Sequence, residues 1–214
     1  VAVRPEQLWF LTGTGTEVGK TWVGAALLRA ARERGVAVAA RKPVQSYDPA
    51  AGEPLDAEVL AAASGEDPAA VCPPSRSYPR AVAPPMAAVS LGRPPILLEE
   101  LLNELVWPEP AVRLGVVEGA GGVRSPLAED GDSRSLLDRL APDRVLLVAD
   151  AGLGTIHAVR AALDALAGCE AAVTVVLNRY DPLDELHRWN LSWLVDRDGT
   201  DAVVRIGELL DRLP

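Results

Sequence analysis

Leu8-Trp9-Phe10-Leu11-Thr12-Gly13-Thr14-Gly15-Thr16-Glu17-Val18-Gly19-Lys20-Thr21 is the stretch from which the fold can be read. An apolar run long enough for a buried strand breaks into glycine and threonine. It then enters a helical pattern, Trp22, Val23, Ala25, Ala26, Leu27, Leu28 and Ala30, which ends in Arg32-Glu33-Arg34-Gly35, a basic last turn and a glycine stop. Strand, glycine-rich turn and helix with Lys-Thr at the junction predict a phosphate-binding loop. Backbone N–H groups from Gly13 to Gly19 converge on one concavity, and the helix start adds its unpaired N–H groups and positive dipole end. Lys20 is expected to reach the β- and γ-phosphates and the Thr21 hydroxyl to take a place on Mg²⁺. Five residues separate Gly13 from Gly19 where the common motif has four.

Val36-Ala37-Val38-Ala39-Ala40 follows as a short buried strand, so the chain opens with a βαβ unit, and a parallel sheet with crossover helices is expected. Ligands of such sheets collect at the carboxyl ends of the strands. Lys42 and Ser46 fall there. Of 21 basic residues only Lys20 and Lys42 are lysine, and both occupy positions where a compact ammonium suits a phosphate or a developing negative charge better than a planar guanidinium. Asp56 opens a helical stretch over 55–64, where its carboxylate is either a capping or dipole-facing terminal group or a second-sphere or direct ligand of Mg²⁺. Proline is dense from Pro68 to Pro95, which predicts an ordered insertion over the sheet edge with one or two helical turns at Met86 to Leu91.

Ile96 to Trp107 reads as an amphipathic helix, and Arg113 to Glu118 as a buried strand that ends in a carboxylate followed by Gly119-Ala120-Gly121-Gly122. An acid at the end of an apolar strand is where a nucleotide hydrolase carries its metal-facing carboxylate, and the glycines allow close approach of backbone to substrate. Residues 126–134 read as a polar loop. Val145 to Ala149 and Ala172 to Leu177 are further core strands, with the Ile156 to Leu166 helix between them, and the second strand delivers Asn178-Arg179-Tyr180 to the same edge. Leu183 to Val195 is amphipathic, with Leu183, Leu186, Leu191 and Leu194 expected inward and Trp189 and Trp193 expected to pack. A brief strand at 202–204 and a terminal helix close the chain.

At 214 residues the chain is expected to form a single domain spanning 1–214. A net charge of −9 without a basic stripe argues against nucleic acid as a partner. No apolar run approaches the ~20 residues of a membrane span, and Val1-Ala2-Val3-Arg4-Pro5 lacks the order of a secretory signal, so a cytoplasmic address without membrane contact is expected. Cys72 and Cys169 stand apart without metal-ligand spacing and read as isolated thiols in or near the core.

With these residues in view, the chain resembles the dethiobiotin synthetase family. The resemblance rests on Gly13-Thr14 through Thr16, Val18-Gly19-Lys20-Thr21, which has that family's longer loop; on Lys42-Pro43-Val44 with Ser46; on Leu55-Asp56-Ala57; and on Val117 to Gly122 with Pro126-Leu127. Leu153-Gly154-Thr155-Ile156 and Asn178 complete it. It implies a doubly wound, mostly parallel, three-layer α/β fold of the P-loop nucleoside triphosphate hydrolase type, working as a homodimer with its site at the subunit interface. It also implies an ATP- and Mg²⁺-dependent ligase. A diamine, 7,8-diaminopelargonate, takes up CO₂ as a carbamate, the carbamate is phosphorylated by ATP, and the second amine closes a ureido ring.

By the same resemblance the nucleotide is held by Gly13, Thr14, Gly15, Thr16, Glu17, Val18, Gly19, Lys20 and Thr21 with Glu118, and Asn178 faces adenine. The metal is held by Thr21, Asp56 and Glu118. Lys20, Lys42 and Thr16 serve the chemistry. Thr16, Lys42, Ser46 and Gly121 line the substrate, together with Leu153, Gly154, Thr155 and His157, of which the Leu153 to Ile156 turn comes from the neighbouring subunit. The chain departs from the family pattern at Gly15, where aspartate is frequent, at Met86 and His157, which replace histidine and asparagine, and in lacking a Gly-x-Ile-Pro element near its end. The competing readings are a related ATP-dependent ligase on another substrate and a switch ATPase of the partitioning or septum-placing type, but the latter would carry a second lysine five residues before Lys20, where Gly15 stands.

Overall fold

A computed structural model describes residues 3–213; Val1, Ala2 and Pro214, and with them the first two residues of the stretch read above as lacking a secretory signal, lie outside the described residues. Ten strands and nine α-helices are present among the described residues. The strands are β1 Gln7–Gly13, β2 Val38–Arg41, β3 Gln45–Ser46, β4 Ser77–Tyr78, β5 Leu114–Glu118, β6 Pro126–Ala128, β7 Gly131–Asp132, β8 Arg144–Asp150, β9 Ala172–Asn178 and β10 Ala202–Val203. The helices are α1 Lys20–Glu33, α2 Asp56–Ser64, α3 Pro68–Val71, α4 Pro84–Ser90, α5 Leu98–Asn103, α6 Ser133–Leu140, α7 Thr155–Ala165, α8 Glu185–Ser192 and α9 Ile206–Leu210.

Six strands form one sheet in the order β10-β9-β8-β1-β5-β2, and every neighbouring pair is parallel. Alternation along the strands divides the core in two. Leu8 and Phe10 of β1, with Val145, Leu147 and Ala149 of β8, face α6 and α7. Trp9, Leu11, Leu146 and Val148 face α1, α2 and α9. Both faces of the sheet are therefore covered, which is why its strands read as unbroken apolar runs and why the architecture has three layers. Leu11 pairs with Glu118 and Arg41 with Val117, so the carboxyl ends of β1, β5 and β2 lie side by side.

The segment after α2 covers the outer edge of β2, as the proline-rich insertion is expected to do. The Ala40 N–H donates to Glu66 Oε2 at 2.8 Å and the Lys42 N–H to the Val71 carbonyl at 2.8 Å, so the edge donors are paired.

Three expectations need correction. The helix expected over 96–107 is only Leu98–Asn103, because the Val106 carbonyl turns to accept a 2.6 Å hydrogen bond from Arg41 Nε, Trp107 stacks under the same guanidinium, and Pro108 disfavours helix before it. Residues 126–134 are not a loop throughout: β6 and β7 form an antiparallel hairpin that runs into α6. Leu183 is 87% exposed rather than inward, and Trp189 and Trp193 also lie on the surface; of the four leucines expected inward Leu194 alone is fully buried, where α8 passes into a π-turn over Trp193–Arg197.

Candidate active site

The loop between β1 and α1 curls through two left-handed residues, Glu17 at φ 59° and Gly19 at φ 89°. At Gly19 this conformation and the local crowding both exclude a side chain: a Cβ there would sit 2.1 Å from Asn178 Nδ2. Asn178, at the end of β9, donates from Nδ2 to the Val18 carbonyl at 3.0 Å. The next residue, Arg179, donates to the Glu17 carbonyl at 2.8 Å and pairs with Asp150 at the end of β8 at 2.8 Å. Two other strand ends therefore brace the outer side of the loop. Lys20 folds back along it, and its Nζ donates to the Gly15 carbonyl at 2.8 Å. Burial lowers the Lys20 ammonium to about 8, with the nearby charge of Lys42 acting in the same direction.

On the opposite side of β1 four side chains converge. The Thr21 hydroxyl lies 2.7 Å from Asp56 Oδ1 and 2.9 Å from Glu118 Oε1. Lys42 Nζ lies 2.6 Å from Glu118 Oε1, 2.9 Å from Asp56 Oδ2 and 3.1 Å from the Gly119 carbonyl. Lys42 and Glu118 are buried, at 2% and 1% exposure, while Asp56 is half-exposed and opens the cluster to solvent. Burial opposes the charge of Lys42, but the two carboxylates outweigh it and hold the ammonium above the ordinary lysine range. The Lys42 charge holds the Asp56 carboxyl below its usual range.

These residues suit a hard divalent cation. Glu118 Oε2 is buried without a hydrogen-bond partner, next to a hydroxyl and a second carboxylate. Among the described residues no group of three or more His, Cys, Asp or Glu side chains gathers. Mg²⁺ is ordinarily held by one or two carboxylates and completes its shell with water and phosphate.

The glycine run after β5 closes the wall between loop and cluster. A Cβ at Gly122 would lie 3.4 Å from the Gly13 carbonyl and 3.5 Å from that of Thr14, so the two glycine-rich turns are in backbone contact. Gly121 is left-handed, and its neighbour's N–H is held by Ser125 Oγ at 2.8 Å.

The remaining candidate residues are distributed less tightly. Thr16 is exposed at the loop tip. Ser46 donates to the Val82 carbonyl at 2.6 Å. Leu153 is 92% exposed, Gly154 is the left-handed residue before α7, Thr155 is buried with its hydroxyl unpaired, and His157 is exposed on α7. Among the described residues no hydrogen bond or ion pair joins 153–157 to the carboxylate cluster.

Two contributors escape a reading of the sequence. Gln45 is buried, accepts from the Ala57 N–H at 3.1 Å and donates to Ser77 Oγ at 2.9 Å, and so caps the helix whose first residue is Asp56. Its signal, a buried amide three residues after Lys42, is invisible until the fold brings α2 against β3. Arg179, which the strand pattern delivers to this edge without a role, braces Glu17 from 162 residues away.

A family model described as an AAA domain matches residues 7–197. The ATP-dependent dethiobiotin synthetase BioD of Caulobacter sp. (strain K31) is 40% identical over 171 residues, covering 78% of this chain and 74% of the relative. That of Anaeromyxobacter dehalogenans (strain 2CP-C) is 42% identical over 179 residues, covering 82% of this chain and 78% of the relative. A plasmid partition protein from Borrelia burgdorferi superposes with a TM-score of 0.54 over 98% of this chain and 96% of its own, at 12% identity, which is a likeness of fold alone.

Proposed function

The chain belongs to the dethiobiotin synthetase family, and from that premise we propose that it is an ATP-dependent ligase that closes the ureido ring of dethiobiotin on 7,8-diaminopelargonate, CO₂ and ATP. The observation that carries the assignment of residues is the convergence of Thr21, Asp56, Glu118 and Lys42 within 3 Å contacts beside the phosphate loop. In this reading one amine of the substrate adds CO₂ and loses a proton, giving a carbamate. A carbamate oxygen then attacks the γ-phosphorus of ATP and ADP departs. The second amine attacks the carbonyl of the resulting carbamic-phosphoric anhydride and gives up a proton, inorganic phosphate leaves with the bonding pair, and the ring closes.

Amides from Gly13 to Gly19 and the Lys20 ammonium hold the β- and γ-phosphates. Thr21, Asp56 and Glu118 would hold Mg²⁺, which when bound neutralises charge on the phosphate oxygens. Lys42, fixed by Glu118 and the Gly119 carbonyl, keeps its proton and stabilises negative charge passing between carbamate and phosphoryl group. Thr16 and Ser46 position the diamine, and the backbone at Gly121 lines it. Leu153, Gly154, Thr155 and His157 serve the substrate tail across a homodimer interface, a reading supported by the exposure of Leu153. No helix of the described residues is long and apolar enough to cross a membrane, and the reading puts the enzyme in the cytoplasm, where its small-molecule substrates are.

Incubation with diaminopelargonate, bicarbonate and Mg-ATP should release phosphate only when the diamine is present. Hydrolysis that proceeds equally without it would count against the ligase assignment and favour a switch ATPase.

A further inference from the structure

A cleft of about 520 Å³ opens where the phosphate loop enters α1, between Gly19 and Trp22 on one side and Asn178, Tyr180, Arg205 and Ile206 on the other. Its position follows from the sheet order. Lys42, Asp56 and Glu118 lie on the β5 and β2 side of the loop, whereas Asn178 and Arg179 brace it from β9, on the other side of β1. A triphosphate whose terminal phosphate faces the carboxylate cluster therefore directs its nucleoside toward this cleft.

Several polar atoms beside the cleft are already engaged. Asn178 Nδ2 donates to the Val18 carbonyl, Arg179 to Asp150 and the Glu17 carbonyl, and Arg205 Nε to Glu208. Trp22, by contrast, is 59% exposed. Trp9, Trp107 and Trp193 each carry a guanidinium over a ring, but among the described residues Trp22 carries neither a guanidinium nor another ring. An exposed indole one residue past Thr21, on the wall of a cleft continuous with the phosphate loop, is a stacking platform. Every nucleobase has a π-face, so stacking is tolerant of base identity.

We propose that Trp22 holds the nucleobase by its face. The proposal rests on the phosphate-loop reading of the proposed function and adds to it the residue that receives the base.

The test is calorimetric titration of ATP, GTP, CTP, UTP and inorganic tripolyphosphate, each with Mg²⁺, into the full chain, Trp22→Ala and Trp22→Phe. Trp22→Ala should weaken all four nucleotides by roughly tenfold or more while leaving tripolyphosphate unchanged. Trp22→Phe should restore most of the loss. A loss confined to one base, an equal loss for tripolyphosphate, or no loss overturns the proposal. If the unaltered chain binds tripolyphosphate as tightly as nucleotides, the platform falls while the phosphate loop stands; if it binds neither, both fall.

Discussion

Lys42 Nζ and Glu118 Oε1 lie 2.6 Å apart, and both side chains are buried. Glu118 ends β5 and Lys42 follows the last residue of the neighbouring β2, with its N–H held by the Val71 carbonyl, so the pair is fixed at the ends of two paired strands. Removing one member strands the other charge in the interior. Lys42→Met should abolish turnover and lower unfolding stability by about 3 kcal/mol. The double variant Lys42→Met/Glu118→Gln should lose less stability than the two single variants together, by at least about 1 kcal/mol in a denaturation cycle. Strict additivity would mean that the two groups do not interact in solution.

Gln45 caps α2 and thereby sets where Asp56 points. Gln45→Ala should raise the Mg²⁺ concentration needed for half-maximal turnover by roughly tenfold, as loss of a supporting partner behind a ligand commonly does. A Mg²⁺ titration of initial rates decides this. An unchanged requirement together with a reduced melting temperature would reduce Gln45 to a packing residue.

Two glycines of the same loop should respond in opposite ways. Gly19 combines φ 89° with a Cβ position 2.1 Å from Asn178 Nδ2, whereas nothing lies within 4 Å of a Cβ at Gly15. Gly19→Ala should therefore displace Asn178 and cost about 1–3 kcal/mol, while Gly15→Ala should stay within about 0.5 kcal/mol of the parent in a thermal melt. Equal losses at both positions would mean that the curl is not held as described.

Burial pushes the Cys72 thiol up from its ordinary 9.0 to about 12. Between those values the unfolded chain has released the proton and the native chain retains it. Native stability should accordingly fall with rising pH, by up to ~1.4 kcal/mol per unit of pH from this group. Cys72→Ala removes that slope, so the stability difference between parent and variant should narrow from pH 9 to 10.5. A constant difference would show that the thiol titrates normally. At pH 8 a thiol reagent should leave Cys72 unlabelled until the protein unfolds.

Much of the sheet was legible because its strands are buried on both faces and its helices on one. The run Leu8 to Gly13, the turn into Lys20-Thr21 and the apolar ending at Glu118 mark two strand ends and the loop between strand and helix, and the structure brings Lys20, Thr21, Lys42, Asp56 and Glu118 to one edge. Where periodicity misled, tertiary partners were responsible. Leu105 and Val106 continue a helical stripe, yet Arg41 takes the Val106 carbonyl and the stripe ends at Asn103. Leu183 fits the inward face of the α8 pattern but stands before Asp184, whose side chain caps α8, and so lies outside the helix. Gln45 and Arg179 act across contacts distant in sequence, for which no local spacing exists.

Because Leu11 faces Glu118 and Val117 faces Arg41 across the ladder, a slip of β5 by one residue would turn its terminal acid to the far side of the sheet. Catalytic competence is thus tied to a single alignment of three backbones, with no partly active alternative available by sliding. Loss of activity and loss of cooperative structure should coincide on heating, and variation between relatives should be freest where the chain leaves this frame, in the turns around 48–54, 79–83 and 91–95.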